Sequence, residues 1–404
     1  MQDQIFSEAF QILEAAIAER AFPAASIAVT HGEKLVALKA FGNFTFDRLG
    51  AASLSSLPSP QGGHSEICEG APSKLRLGGD FANSAVTSST LFDLASLTKV
   101  LATTTMAMVL YERGLLDLEA SIAGTLPEFL ADAAPDPRRH EVTFRMLLAH
   151  SSGLPAYEKL FLRAHARDEL LRAAFAVPLN ADPNTRAEYS DIGFIILGVA
   201  LERLAGEALD TFCQREIFGP LAMTRTTFNP ARELRPQIPP TADETDTSGT
   251  DTLVRPSTFR SRIVQGEVQD ENAFVLGGVA PHAGLFSTAE DVARFAHAML
   301  GAGTPIVRPE TVAIFTERQP SPAGTSRALG WDTPSHPSQS GKHFGPRSFG
   351  HLGYTGTSLW VDPDRQLSIT LLTNRTWPDC SNQAIKQVRP KFHDAVIEAV
   401  TKLK

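Results

Sequence analysis

The chain has 404 residues, 43% of them hydrophobic and 20% charged, with a formal net charge of −8. That length and composition suit a soluble packed protein of one large domain or two intimately joined ones. The acidic balance and the lack of Lys/Arg runs argue against nucleic acid as a partner, and no apolar run of about 18 residues offers a membrane span.

Cys68, Cys213 and Cys380 are odd in number and lack C-x-x-C spacing, so neither a disulfide framework nor a zinc site is indicated. The opening Met1-Gln2-Asp3-Gln4 has no positive n-region, which predicts a cytoplasmic protein unless a leader preceded it.

In chain order, Ile5, Phe6, Ala9, Phe10, Leu13, Ala16 and Ile17 recur at helical spacing and predict an amphipathic helix. Ala25 to Thr30 and Lys34 to Ala40 read as a hairpin turning at His31-Gly32-Glu33. From 47 to 89 the chain is rich in Ser, Gly and Pro and reads as a surface excursion or lid. After an apolar helix through Leu101–Leu110, further helices are expected from Thr143, which is placed to cap one, at Arg163–Ala174, at Ile192–Leu204 and near Leu209–Ile217. Pro230 to Thr258 reads as a loop, and the glycine-punctuated stretch 277–288 leads into a helix to Leu300. Ser358–Val361 and Leu367–Thr373 are strands joined by a turn, and a last helix runs from about Asn382 to Leu403. Strands at both ends and helices between them imply an α+β fold: an antiparallel sheet built from both chain ends, flanked by helices, with an inserted helical region. The corresponding division is a sheet domain of 1–95 with 285–404 and a helical domain of 96–284.

Three stretches carry chemistry. Ser96 and Lys99 stand three apart at the start of an apolar helix and so share a face. A serine hydroxyl needs a neighbour to take its proton, and a lysine serves only if its pKa is lowered. Bringing it from about 10.4 to about 7 takes roughly 4–5 kcal/mol, so Lys99 is expected to be buried among groups such as Val100, Leu101 and Met106. Next, Tyr189 in Glu188-Tyr189-Ser190-Asp191 is expected to ionise more easily beside an ammonium and to relay a proton. Asp191 either orients Lys99 or the substrate, or caps the helix that follows. Finally, Gly350-His351-Leu352-Gly353-Tyr354-Thr355-Gly356-Thr357 offers backbone N–H groups at a glycine-rich edge, as an oxyanion hole requires, with His351 as a proton carrier or electrostatic partner.

Together these stretches resemble the serine β-lactamase and penicillin-binding protein superfamily, in the branch with class C β-lactamases, DD-peptidases and β-lactamase-like esterases. Ser96-Leu97-Thr98-Lys99 matches S-x-x-K, Tyr189-Ser190-Asp191 matches Y-x-N, and His351-Leu352-Gly353 matches K-T-G or H-x-G. Leu147-Leu148-Ala149-His150-Ser151-Ser152-Gly153-Leu154-Pro155 is similar to a further segment of the same branch. The resemblance implies a β-lactamase/transpeptidase-like fold and acyl transfer through Ser96, with no metal or organic cofactor. Lys99 and Tyr189 would move the proton, His351 would support the relay, and the N–H groups of Ser96 and Tyr354 would hold the oxyanion. Gly353, Leu352 and Asp191 would border the substrate.

Two departures bear on substrate. Asp191 replaces the usual Asn, which would hydrogen-bond a substrate amide, and Leu352 replaces a hydroxyl residue that helps to hold a substrate carboxylate. These point to an esterase-like serine hydrolase of a small ester or amide. A β-lactamase or D-alanyl-D-alanine carboxypeptidase is the alternative within the class, and a non-catalytic binding module the alternative outside it.

Overall fold

The computed structural model describes residues 2–32, 34–46, 84–245, 259–301, 305–378 and 380–402. Glu33, Cys68 and most of the two expected loops, at 47–83 and 246–258, lie outside the described residues.

The hairpin strands β1 (Ala24–His31) and β2 (Lys34–Gly42) form one side of a five-stranded antiparallel sheet. The other side comes from the far end of the chain: β3 (Phe349–Leu352), β4 (Ser358–Asp362) and β5 (Leu367–Thr373), in the order β2-β1-β5-β4-β3. β1 pairs directly with β5, Ala25 opposite Thr373 and His31 opposite Leu367. Because alternate residues face opposite sides of a sheet, Ala25, Ile27 and Val29 of β1 and Ile369 and Leu371 of β5 pack under the two terminal helices. These are α1 (Ser7–Ala18), through Phe10 and Leu13, and α5 (Ile385–Thr401), through Phe392 and Val396. The opposite face carries α4 (Ala289–Leu300), capped by Thr288 Oγ1. Every residue of β5 is buried, as expected of a central strand covered on both faces.

Beyond α4 lies the larger core, where α2 (Thr105–Glu112) and α3 (Asp191–Ala205) meet through Met106, Leu110, Ile195 and Leu201. Thr143 does cap its helix, Phe144–Leu148, by accepting from the Met146 N–H at 3.2 Å. The fold is thus α+β with the expected antiparallel sheet.

The structure corrects the reading in three places. Phe349–Leu352 is itself a strand, although the sequence placed one only after the glycines. Gly350 is needed there because a side chain would meet the Trp360 ring at 2.4 Å. Within the expected loop 230–258, Pro240–Asp243 pairs with Ile263–Gln265 as a two-stranded ribbon whose partner lies too far along the chain for local pattern to show. A helix at Pro309–Thr316, buried through Thr311, Val312 and Phe315, was not expected because that short stripe gives weak periodicity.

Candidate active site

The serine sits on a strained turn. Phe92–Asp93 pairs with Leu285–Ser287, and the chain then reverses at Ala95, whose φ of +47° is unusual for a residue with a side chain. Asp93 holds the turn: its Oδ1 accepts from the Ala95 N–H at 2.8 Å and its Oδ2 from the Gln269 N–H at 2.7 Å. A single 3-10 turn, Ala95–Leu97, presents Ser96, and a wide π-type turn, Lys99–Thr104, carries the chain into α2. Wide turns of this kind recur at functional sites.

Lys99 reaches back under Ser96. Its Nζ donates to Ser96 Oγ at 3.1 Å, to the His282 carbonyl at 3.1 Å and to Asp191 Oδ1 at 2.6 Å, and its side chain is fully buried. The Tyr189 and Phe194 rings flank it at 4.8 and 5.5 Å. The ammonium is therefore surrounded by acceptors and aromatic faces, where the sequence reading expected aliphatic neighbours. Burial alone would lower its pKa, but the Asp191 carboxylate, with Tyr189, holds it above the ordinary lysine value. The expected drop toward neutrality is overturned: Lys99 rests as an ammonium.

Asp191 leaves capping to its neighbour. Ser190 Oγ accepts from the Gly193 N–H at 2.9 Å and so caps α3, freeing the Asp191 carboxylate for Lys99. Tyr189 lies against Lys99, its ring centroid 4.8 Å from Nζ, and its hydroxyl interacts with Lys99 and Ser96. Its pKa is raised, because burial outweighs the nearby ammonium, so the easier ionisation expected from sequence does not hold.

His150 fixes the tyrosine. It adopts a left-handed backbone, φ +56°, and its carbonyl accepts from the Glu188 N–H at 2.8 Å. Its ring Nδ1 accepts from the Ser190 N–H at 3.0 Å, and the ring lies 4.7 Å from that of Tyr189. One residue thus grips the peptide on both sides of Tyr189. The sequence showed His150 in a motif but assigned it no task.

The third motif closes the site. Thr355 Oγ1 donates to the Asp93 carbonyl at 2.8 Å and Thr357 Oγ1 to the Leu94 carbonyl at 3.0 Å, docking the loop 353–357 against the strand that delivers Ser96. Gly353 permits this, since a Cβ there would meet Thr357 Oγ1 at 1.9 Å and the Leu94 carbonyl at 2.6 Å. Buried Arg389 of α5 donates to the carbonyls of Gly353 at 2.7 Å and Thr357 at 2.9 Å, and Arg375 Nε donates to that of Tyr354 at 2.7 Å. With its carbonyl so held, Tyr354 has an N–H that makes no hydrogen bond among the described residues, while its side chain is half exposed. Leu352 offers its carbonyl to His351 Nδ1 at 2.8 Å. His351 is buried with its ring 5.8 Å from Tyr189, and burial, followed by Lys99 and Arg327, pushes its pKa far down. A neutral ring whose Nε2 has no hydrogen-bond partner among the described residues is therefore present where an electrostatic partner was one expectation.

The structure thus gathers Ser96, Lys99, Tyr189, Asp191, His351 and the loop of Leu352, Gly353 and Tyr354 into one site. A beta-lactamase family model matches residues 9–388. The chain belongs to the beta-lactamase family. It is 34% identical over 303 residues to an N-acetylmuramyl-L-alanine amidase of Bacillus subtilis, covering 71% of this chain and 68% of that one. It is 33% identical over 307 residues to a putative D-alanyl-D-alanine carboxypeptidase of Escherichia coli K12, covering 72% and 70%. EstCE1, a hydrolase with promiscuous acyltransferase activity, superposes with a TM-score of 0.71 over 98% of this chain and 99% of its own at 19% identity, a likeness of fold alone.

For a beta-lactamase-family serine hydrolase the sequence reading missed His150, Arg327, Arg375 and Arg389, and the pair formed by His282 Nε2 and Asp270 Oδ1 at 2.9 Å. That pair fixes the residue whose carbonyl receives Lys99. Only His150 stood in a recognisable motif. The others are brought in by distant segments and leave no local signal.

Proposed function

We propose that the protein hydrolyses a small amide or ester through an acyl-enzyme on Ser96, with an amide next to an amino acid as the favoured bond. The observation that carries this reading is the convergence of one lysine ammonium on the Ser96 hydroxyl and the Asp191 carboxylate, with the Tyr189 hydroxyl in reach of the same serine. The relatives named an amidase and a carboxypeptidase support the preference for amides.

In this mechanism Tyr189, once ionised, takes the proton of Ser96 while Lys99 stabilises the phenolate. Ser96 Oγ attacks the carbonyl, and the N–H groups of Ser96 and Tyr354 stabilise the oxyanion. Tyr189 then gives its proton to the leaving nitrogen or oxygen, and in the second half it activates the water that releases the acyl group. His351 and Leu352 border the cleft, and neutral His351 offers an acceptor near the relay.

Intact-mass spectrometry after fluorophosphonate treatment tests the reading, alongside hydrolysis of p-nitrophenyl acetate, an N-acyl alanyl amide and nitrocefin. A single adduct lost in Ser96→Ala, with amide or ester turnover, is the expected result. Nitrocefin turnover in preference to the others would shift the assignment to a β-lactamase, and no adduct with no turnover would leave a binding module of the same fold.

A further inference from the structure

Lys99 is held in part by a segment that has no helix or strand of its own. Residues 277–284 run beside the turn that bears Ser96 and Lys99, between glycines of positive φ at 277, 278 and 284. Three hydrogen bonds lace the two stretches together: Thr103 Oγ1 donates to the Pro281 carbonyl at 2.6 Å, Lys99 Nζ to the His282 carbonyl at 3.1 Å, and the Leu285 N–H to Thr98 Oγ1 at 3.1 Å. An ammonium has three N–H donors and no acceptor. The Asp191 carboxylate and the His282 carbonyl only accept, so they fix two of the three, and the third faces the hydroxyls of Ser96 and Tyr189. How well that third N–H is aimed depends on how firmly the His282 carbonyl is held.

The hold comes from a side chain. The His282 ring is 1% exposed, and its Nε2 lies 2.9 Å from Asp270 Oδ1, while its Nδ1 has no hydrogen-bond partner among the described residues. Burial alone would raise the Asp270 pKa, but His282, the Ala273 N–H and Lys99 bring it below the ordinary carboxylate value. A carboxylate accepts only, so Nε2 carries the hydrogen. The same Oδ1 caps the helix Glu271–Val275 by accepting from the Ala273 N–H at 2.7 Å.

Asp270 stands on a fixed base. The Gln269 N–H donates at 2.7 Å to Asp93 Oδ2, of the carboxylate that also holds the Ala95 turn, and the Gln269 carbonyl accepts from Arg260 Nη2 at 2.7 Å. Arg260 is buried in an ion pair with Glu244 at 2.7 Å. Two successive residues thus grip both halves of the nucleophile: Gln269 the turn that presents Ser96, Asp270 the loop that receives Lys99.

We propose that Asp270 and the His282 ring are positioning residues for acylation, fixing the His282 carbonyl so that Lys99 Nζ stays aimed at Ser96 Oγ and the Tyr189 hydroxyl. Both act through Lys99. The proposal rests on the hydrolase reading above for the step it serves, and on residues 269–285 for the positioning itself.

Two pairs of variants in the full chain separate this role from plain support of the fold. Asp270→Asn keeps the cap and an acceptor for Nε2–H, whereas Asp270→Ser keeps a good cap on a side chain one bond too short to reach the ring. His282→Gln keeps a donor near the place of Nε2, and His282→Leu removes it. For p-nitrophenyl acetate, kcat/KM is expected to fall about ten-fold or more in Asp270→Ser and His282→Leu, and the rate of Ser96 phosphonylation by a fluorophosphonate with it. Asp270→Asn and His282→Gln should stay near the unsubstituted protein, and the double variant Asp270→Ser, His282→Leu should be no worse than its worse parent, since the two residues act as one unit. Unchanged rates in Asp270→Ser, equal losses in Asp270→Asn and Asp270→Ser, or additive losses in the double variant overturn the proposal. Should His282→Leu not fold, the two Asp270 variants carry the same comparison. A second readout needs no turnover. In protein labelled with 15N-lysine, the Lys99 ammonium signal, identified by its loss in Lys99→Met, is expected in the unsubstituted protein, Asp270→Asn and His282→Gln, and is expected to vanish into solvent exchange in Asp270→Ser and His282→Leu. A signal that survives both removals, or is missing from the unsubstituted protein, overturns the positioning. Absence of a Ser96 adduct in the unsubstituted protein would instead overturn the hydrolase reading, with the ammonium signal still deciding the positioning.

Discussion

Asp191 Oδ1 accepts a charge-assisted hydrogen bond of 2.6 Å from Lys99 Nζ, the nitrogen that also touches Ser96 Oγ at 3.1 Å. The group best placed to take the serine proton therefore already carries one. Asp191→Asn keeps the shape and removes the charge. Burial then dominates at Lys99 and lowers its pKa, and Tyr189, which Asp191 also holds up, becomes easier to ionise. Both effects free a base at lower pH. The alkaline-rising limb of kcat/KM for p-nitrophenyl acetate should move down by about one pH unit or more, the equivalent of about 1.4 kcal/mol. An unmoved limb in Asp191→Asn would contradict the proton path through Tyr189 and Lys99.

His150 should act on rate more than on substrate binding. His150→Phe leaves the Ser190 N–H without its acceptor, at a cost of about 1–3 kcal/mol in stability. A tyrosine displaced by an ångström should lower kcat by up to about 100-fold with little change in KM. His150→Asn, which tolerates the left-handed backbone and offers a short acceptor, should recover part of the loss. Equal damage from both variants would show that the ring stack alone matters.

The docking of the third motif predicts a steep effect from one methyl group. Gly353→Ala would drive a Cβ into Thr357 Oγ1 and the Leu94 carbonyl. The loop must lift from Asp93 and Leu94, which on the proposed mechanism takes the Tyr354 N–H away from the oxyanion. Loss of about two orders of magnitude in kcat/KM is expected, with about 1–3 kcal/mol of stability. Gly124→Ala, where nothing lies within 4 Å, is the control and should change neither. Steady-state kinetics and urea unfolding of the pair decide.

His393 predicts an acid limit to stability. It is buried between Ser358 Oγ at 3.1 Å and the Ser340 carbonyl at 3.0 Å, and burial, with Arg389 beside it, lowers its pKa to about 3. The folded state thus binds fewer protons at this ring than the unfolded chain does. Stability from His393 is complete above about 6.5 and is lost as pH falls toward about 3, a total of roughly 4–5 kcal/mol. His393→Gln should flatten the decline in unfolding free energy between pH 6.5 and 4, even if it lowers the plateau. A decline as steep as that of the unsubstituted protein would place the acid sensitivity elsewhere.

Local sequence showed much of this site because its first two motifs are local devices. Ser96 and Lys99 meet because residues three apart share a helical face, and Tyr189 precedes a helix whose cap is its neighbour Ser190. The hairpin and the β4–β5 pair were equally legible, each from alternation on both sides of a turn. What sequence misjudged was electrostatic: whether Lys99 is raised or lowered depends on a carboxylate 92 residues away in the chain. It also missed the ribbon at Pro240–Asp243 and the arginines that hold the loop 353–357, since such contacts join segments that share no local pattern.

The pairing of β1 with β5 joins residues 24–31 to residues 367–373. During synthesis the early hairpin must wait, one edge open, until nearly the whole chain has emerged, and an open strand edge is a template for wrong partners. Ser96, Lys99 and Tyr189 are made long before the strands that flank the loop 353–357. The site around Ser96 is therefore complete only when the last strands are added, and a ribosome stalled before residue 349 would carry Ser96 and Lys99 without the loop 353–357 that docks on Asp93 and Leu94.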